Sequence, residues 1–280
     1  CKTLDYALAH VINSTLVHLI AGKRPYNLSQ HFDFMNLHGF ELVGDPYSIV
    51  SIECPWNRGS LSFENSDNIT LSGILLRGCG GLHASTTGRD FKYPHIEFYS
   101  AVFLVYCKHI VIDHCNIVDS PGIGLNMYDI GGEVRISHSR FENNRPDNLK
   151  DDEKDVAIAG GGIYMELTYR GGTFPFDFNS TTLAQFDTNS SYTFYNCTFK
   201  KNCAPSQHYE TIVQLPIGDD HIPFGRGGGL SIFVNGKAEN NVIHVTRCQF
   251  EENTAIWGGG IFIEFHDKVQ NNTFEVTDRK

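Results

Sequence analysis

The sequence predicts an all-β chain: a right-handed parallel β-helix, a solenoid closed at its start by a short N-terminal capping helix. Three observations carry that expectation. A nine-residue segment of alternating apolar and polar residues recurs without gaps, an asparagine follows its closing aromatic three residues later, and a glycine run then opens a second apolar strand. Each is taken below in chain order.

The first residues differ from the rest. Leu4, Leu8, Val11 and Ile12 recur at helical spacing within Thr3–Ile12, which predicts an amphipathic helix. A solenoid needs its open end covered, so this helix is expected to cap the first coil. Leu16–Ile20 and Phe40–Val43 read as early strands. Residues 1–30 are therefore assigned to the cap and a first strand, and residues 31–280 to the β-helix, which is expected to continue in a longer parent protein.

Four segments then align: His109–Ile117, Glu133–Phe141, Ser191–Phe199 and Val242–Phe250, with a fainter copy at Asn68–Leu76. Large apolar residues alternate with polar ones in each, as at Ile110 and Ile112 or Tyr192 and Phe194, which is the period of a strand. Ile117, Phe141, Phe199 and Phe250 are predicted to form one inward column. The corner residue that follows is Asn144, Asn202 or Asn253, replaced earlier by Ser120 and Cys79. Asparagines stacked at one corner can hydrogen-bond along the solenoid axis.

The glycine runs Gly160–Gly162, Gly227–Gly229 and Gly258–Gly260 each lead into an apolar strand, with a relaxed version at Gly122–Leu125. Glycine suits a corner that needs positive φ or a close backbone approach. No Lys-Ser pair or helix start follows these runs, so a phosphate cradle is not the reading. Strands joined by corners without intervening helices cannot build a helix-covered parallel sheet, whereas stacking each strand on its equivalent in the next coil pairs them all.

Composition narrows the setting. The formal net charge is −10, which argues against nucleic acid or anionic lipid as partner. No apolar run reaches the roughly 18 residues of a membrane span. Seven Asn-x-Ser/Thr sequons, at Asn13, Asn27, Asn68, Asn179, Asn189, Asn196 and Asn271, accompany eight cysteines and favour an extracellular location. Asn179 and Asn189 are expected to carry glycans, while the column of Asn196 points it toward the core side of its strand. Cys115, Cys197 and Cys248 share one column of small residues with Ser139, and adjacent coils lie about 4.8 Å apart. A disulfide between Cys197 and Cys248 is feasible there, and stacked free thiols are the competing reading. Cys1, Cys54, Cys79, Cys107 and Cys203 allow too many pairings to choose among.

At this point the motifs resemble a known pattern. Phe-x-x-Asn followed by Gly-Gly-x-Ile is similar to the repeat of the chlamydial polymorphic membrane proteins, surface adhesins whose passenger region is a parallel β-helix. It is similar more loosely to pectin-lyase-like proteins, and in its sequons and cysteines to large invertebrate surface proteins carrying such helices. The resemblance covers roughly residues 60–280 and implies the fold and an adhesion-like location.

Relatives of this fold also include polysaccharide lyases and hydrolases, whose chemistry needs converging acids and bases. An adjacent aspartate pair with Gly-His-Gly on the next coil is missing; Asp119-Ser-Pro-Gly122 occupies the comparable corner. Asp113 and Asp129 read as outward or turn residues. His114 and His138 share a repeat position, but their column continues as Asn196 and Arg247, which predicts a hydrogen-bonded polar stack rather than a zinc site. No motif calls for a metal or a cofactor. The remaining candidates lie in an insertion: Tyr209, Asp219, Asp220, His221 and Arg226 form the candidate ligand site. Insertions at Arg145–Ala159 and Cys203–Arg226 occupy the same place in their coils, where the third coil has only Thr254–Trp257, so both are expected to emerge side by side along one edge. The chain is thus read as a noncatalytic extracellular recognition or adhesion scaffold for a protein or glycan ligand. A carbohydrate-active enzyme or a carbohydrate-binding module is the alternative.

Overall fold

The computed structural model describes residues 3–55, 59–82, 99–145, 161–168, 189–204, 227–235, 239–265 and 270–278. Parallel strands from successive coils assemble into three long sheets. The first has eight strands, Thr15–His18, His38–Val43, Asp67–Ser72, Lys108–Asp113, Gly131–Ser137, Ser191–Tyr195, Val242–Thr246 and Thr273–Thr277, each paired with its equivalent one coil away. The second runs from Tyr26–Asn27 through Val50–Glu53, Ile74–Arg77, Asn116–Val118, Arg140–Glu142 and Thr198–Lys200 to Gln249–Glu251. The third comprises His31–Met35, Ser60–Glu64, Tyr99–Val105, Ile123–Tyr128, Ile163–Thr168, Leu230–Asn235 and Ile261–Phe265, with Gly81–Leu82 added antiparallel to Tyr99–Val105.

The register follows the predicted alignment. Ile112 pairs with Ile136, Ile136 with Phe194 and Phe194 with Val245, and all four are buried. In the second sheet Ile117, Phe141, Phe199 and Phe250 pair in sequence. Phe199 stacks on Phe141 and Phe250 with ring centroids 5.3 and 4.8 Å away and planes within 11° and 3° of parallel. One coil's aromatic therefore covers the next, which removes apolar area from water continuously along the axis.

The asparagine corner is a ladder. Asn144 Nδ2 donates to Asn202 Oδ1 and Asn202 Nδ2 to Asn253 Oδ1, both at 3.0 Å. Each carboxamide also donates to the carbonyl of the apolar column one coil back, Ile117, Phe141 and Phe199 respectively, at 2.9–3.0 Å. Cys79 departs from this corner: it is joined to Cys54 by a disulfide with Cα atoms 4.8 Å apart. A second ladder lies at another corner. The backbone N–H of Ser190 donates to Asn241 Oδ1 at 3.0 Å, and that of Asn241 to Asn272 Oδ1 at 2.9 Å, at the corner entering the first sheet. Its signal was there to find, since Asn189-Ser190, Asn240-Asn241 and Asn271-Asn272 precede equivalent strands.

Glycine is required where coils nearly touch. A Cβ on Gly162 would lie 2.3 Å from the Gly229 carbonyl oxygen, and one on Gly229 would lie 2.5 Å from that of Gly260. Gly227 and Gly258 hold φ near +60°, a region that L side chains disfavour.

The N-terminal helix is shorter than the spacing predicts, Leu4–Leu8, with Thr3 capping it through a hydrogen bond from the Tyr6 N–H. Leu4 and Leu8 are buried and Val11 packs partly on the core, but Ile12 is exposed. The chain leaves the helix at Ala9 and turns through Thr15, whose hydroxyl accepts from the Ile12 N–H. That turn carries Ile12 out of the apolar stripe.

Candidate functional site

The two expected insertions leave and rejoin the solenoid at stacked points. Arg145 N–H donates to the Ser120 carbonyl, Cys203 N–H to that of Asn144 and Thr254 N–H to that of Asn202, at 2.9–3.0 Å. On the return side Gly124 N–H donates to Gly161, Gly162 to Gly228 and Gly229 to Gly259, at 2.9–3.1 Å. The ends of the extra chain are thus one coil apart, at the edge between the second and third sheets. Tyr209, Asp219, Asp220, His221 and Arg226 lie outside the described residues, as does Asn179.

Beside this edge is the outward face of the third sheet. Asn126, Tyr164 and Ser231 are register partners in one column, and Tyr128, Glu166 and Phe233 in the next. They alternate with Leu125, Met127, Ile163, Met165, Leu230 and Ile232, which belong to the core, so they point away from it. Nevertheless Asn126, Tyr164, Glu166, Ser231 and Phe233 are all buried. An outward sheet face that is both polar and buried departs from the usual alternation of polar-out strands. Tyr164 donates its phenol to Glu166 Oε2 at 2.5 Å. The rings of Phe103, Tyr128 and Tyr164 follow one another at 5.9 and 5.6 Å. Burial, reinforced by the Glu166 carboxylate, pushes the Tyr128 phenol well above its ordinary pKa, so it stays a neutral donor. Among the described residues the Ser231 hydroxyl has no hydrogen-bond partner, and the Asn126 amide has at most a weak one in the Tyr128 phenol. Buried polar atoms are nearly always paired, so an exception calls for an explanation. None of these residues stood out in the sequence, where each reads as an ordinary outward strand position.

The sequence-selected histidines do come together. His114 and His138 stack with centroids 4.6 Å apart and planes 20° from parallel, as the repeat predicts. Asp113, read from sequence as a solvated outward residue, is instead only partly exposed and bonded to both imidazoles. Further along this corner Tyr195 meets His138 edge-on at 5.5 Å and accepts from Arg247 Nη1 at 2.8 Å.

The cross-link falls elsewhere than expected. Cys197 and Cys248 are unjoined thiols on neighbouring coils, and the disulfide joins Cys54 and Cys79. Cys197 and Cys248 keep close order as thiols bonded to strand carbonyls, Cys197 to Ile136 at 3.4 Å and Cys248 to Phe194 at 3.5 Å. Burial pushes the Cys115 thiol, which shares their column, up to about 12. Asn196 also departs from expectation: it is exposed, because its left-handed corner conformation (φ 52°) swings it off the core side. Asn13, Asn27, Asn68, Asn189 and Asn271 are exposed as well.

No helix among the described residues is long and apolar enough to cross a membrane. No curated protein and no solved structure matches the chain significantly. With three long sheets of strands stacked in parallel register, and with the family model for the right handed beta helix region matching residues 31–278, this protein belongs to the right-handed β-helix family.

Proposed function

We propose that this chain is a noncatalytic recognition or adhesion scaffold, part of a larger extracellular glycoprotein, that binds a protein or glycan ligand along the edge between its second and third sheets. The observation that carries this reading is the stacking of both insertion anchors beside an outward face on which, among the described residues, the Ser231 hydroxyl has no partner. Loops held by a rigid scaffold are where recognition concentrates. Phe103 and Tyr128 are the partly exposed rings of this face, and an aromatic surface of that kind stacks on a hydroxyl-rich ligand, which favours glycan over protein. Tyr209, Asp219, Asp220, His221 and Arg226 enter this reading as the insertion's contribution. The Cys54–Cys79 disulfide and the exposed sequon asparagines support the extracellular setting.

The test is a glycan array probed with the intact chain and with a variant whose Pro205–Phe224 segment is cut to a minimal turn. Retained folding with lost binding is expected; unchanged binding by the shortened protein overturns the assignment. A carbohydrate-active enzyme is the second reading, favoured by the buried Glu166 carboxylate and its phenol partner. Cleavage of an acidic polysaccharide that is lost in Glu166→Gln would replace the recognition reading with it.

A further inference from the structure

We propose that Asp113, His114 and His138 form a binding site for a transition-metal dication of the zinc class, independent of the edge described above. One nitrogen from each imidazole and one Asp113 oxygen lie within 4.8 Å of one another. Asp113 Oδ2 is 2.8 Å from His114 Nδ1 and Asp113 Oδ1 is 3.0 Å from His138 Nδ1. In a tetrahedral site with metal–ligand bonds of about 2.1 Å, neighbouring ligand atoms lie about 3.4 Å apart. The two nitrogen–oxygen separations lie within about 0.6 Å of that value, and closing the rest of the group, whose ligand atoms lie within 4.8 Å, asks for side-chain rotation alone.

The site is built by the register of the solenoid. Asp113 ends its strand opposite Ser137, so His114 and His138 follow at the same corner of consecutive coils. Ser137 Oγ donates to Asp113 Oδ1 at 2.6 Å, which orients the carboxylate as an outer partner of a metal ligand commonly does. Both histidines adopt left-handed backbone, φ 51° and 49°. The fold asks for that conformation here, since Gly73, Asn196 and Arg247 share it in the same column. Histidine, like asparagine, is favoured in this conformation, so the backbone accounts for an imidazole at each corner, and what distinguishes this pair is the Asp113 carboxylate bonded to both.

Because a carboxylate only accepts, each imidazole now carries its proton on Nδ1. Metal binding shifts each proton to Nε2 and frees Nδ1 as a ligand, with no net proton released. Two neutral nitrogens and one carboxylate leave the ion a single positive charge, and the exposed side of His114 leaves a coordination position for water or an external ligand. Imidazole with carboxylate selects zinc, cobalt, nickel or copper over calcium and magnesium.

The probe is Co²⁺ titrated into the 280-residue chain, followed by its visible absorption, with Zn²⁺ competing. His114→Asn and His138→Asn test the ligands, because asparagine already occupies this corner at Asn196; His244→Asn is the control, its ring paired with Glu275 at 3.2 Å elsewhere on the sheet. One equivalent of Co²⁺ is expected, displaced by Zn²⁺, with affinity lowered at least about tenfold in either ligand variant and unchanged in the control. Circular dichroism confirms that each variant is folded. Equal affinity in folded His138→Asn, an absorption spectrum dominated by thiolate charge transfer, or no uptake in the micromolar range would each overturn the site.

Discussion

Replacing Asn202 by alanine removes the central rung of the asparagine ladder. Its Oδ1 accepts from the Asn144 backbone N–H at 3.1 Å and from Asn144 Nδ2 at 3.0 Å, while its Nδ2 donates to Phe141 at 2.9 Å and to Asn253 Oδ1 at 3.0 Å. Asn202 and Asn144 are fully buried, so the abandoned partners cannot all turn to water. At about 1 kcal/mol for each of four neutral hydrogen bonds, and more where a buried donor is stranded, the loss comes to about 4 kcal/mol, near the top of the range for single substitutions. Asn143→Gly is the matched control: it removes one partly exposed hydrogen bond, from Asn143 Nδ2 to Asp119 Oδ1 at 2.8 Å, while glycine preserves the left-handed backbone (φ 54°), so its cost should stay at about 1 kcal/mol. Urea denaturation followed by far-ultraviolet circular dichroism measures both. If Asn202→Ala lies within about 1 kcal/mol of the unaltered chain, or costs no more than the control, the ladder is decoration and the argument fails.

Phe199→Asp should abolish folding, because it places an unpaired carboxylate between two stacked rings at a cost of several kcal/mol; normal secretion of that variant would contradict the core assignment. Partial burial of Asp113 disfavours its charge, but hydrogen bonds from Ser137, His138 and His114 outweigh this and hold its pKa at about 2, below the usual 3.8. Its contribution is therefore fully present above pH 3.8 and is lost as pH falls toward 2; Asp113→Asn should cost on the order of 1 kcal/mol at neutral pH, discounted for screening, and nothing below pH 2, as acid–urea titrations would read. Reducing or replacing the Cys54–Cys79 bridge, which closes a separation of 25 residues, should lower stability by about 3 kcal/mol, whereas Cys197→Ser with Cys248→Ser should leave non-reducing mobility unchanged. In a eukaryotic host, mass spectrometry of the secreted chain should find glycans on Asn179 and Asn189, and also on Asn196, whose side chain is exposed.

How far the site could be read from the sequence depended on what each feature needs. The Phe column, the alternating strands and the Asn144–Asn202–Asn253 corner were legible because each is a local pattern repeated in one register. The stacked insertion anchors followed from the same reasoning. The outward face of the third sheet was not legible: Asn126, Tyr164 and Ser231 carry no motif, and their burial depends on what packs over the sheet rather than on its period. Asp113 illustrates the same limit, since strand alternation places it outward but says nothing of two imidazoles closing over it.

The sequence by itself determined the repeat, the inward face of every marked strand and the solenoid, because in a stack of parallel coils a residue's partner is its own equivalent one coil away. Only the tertiary structure decided which thiols are joined, which acid meets the histidines and which outward face is buried. The physical reason is that coil lengths differ. Along the chain, partners across neighbouring coils are 25 residues apart at Asp113 and His138, 58 at Asn144 and Asn202, and 51 at Asn202 and Asn253. No constant offset connects them, and side chains from non-equivalent positions meet only once the register of the whole stack is in place.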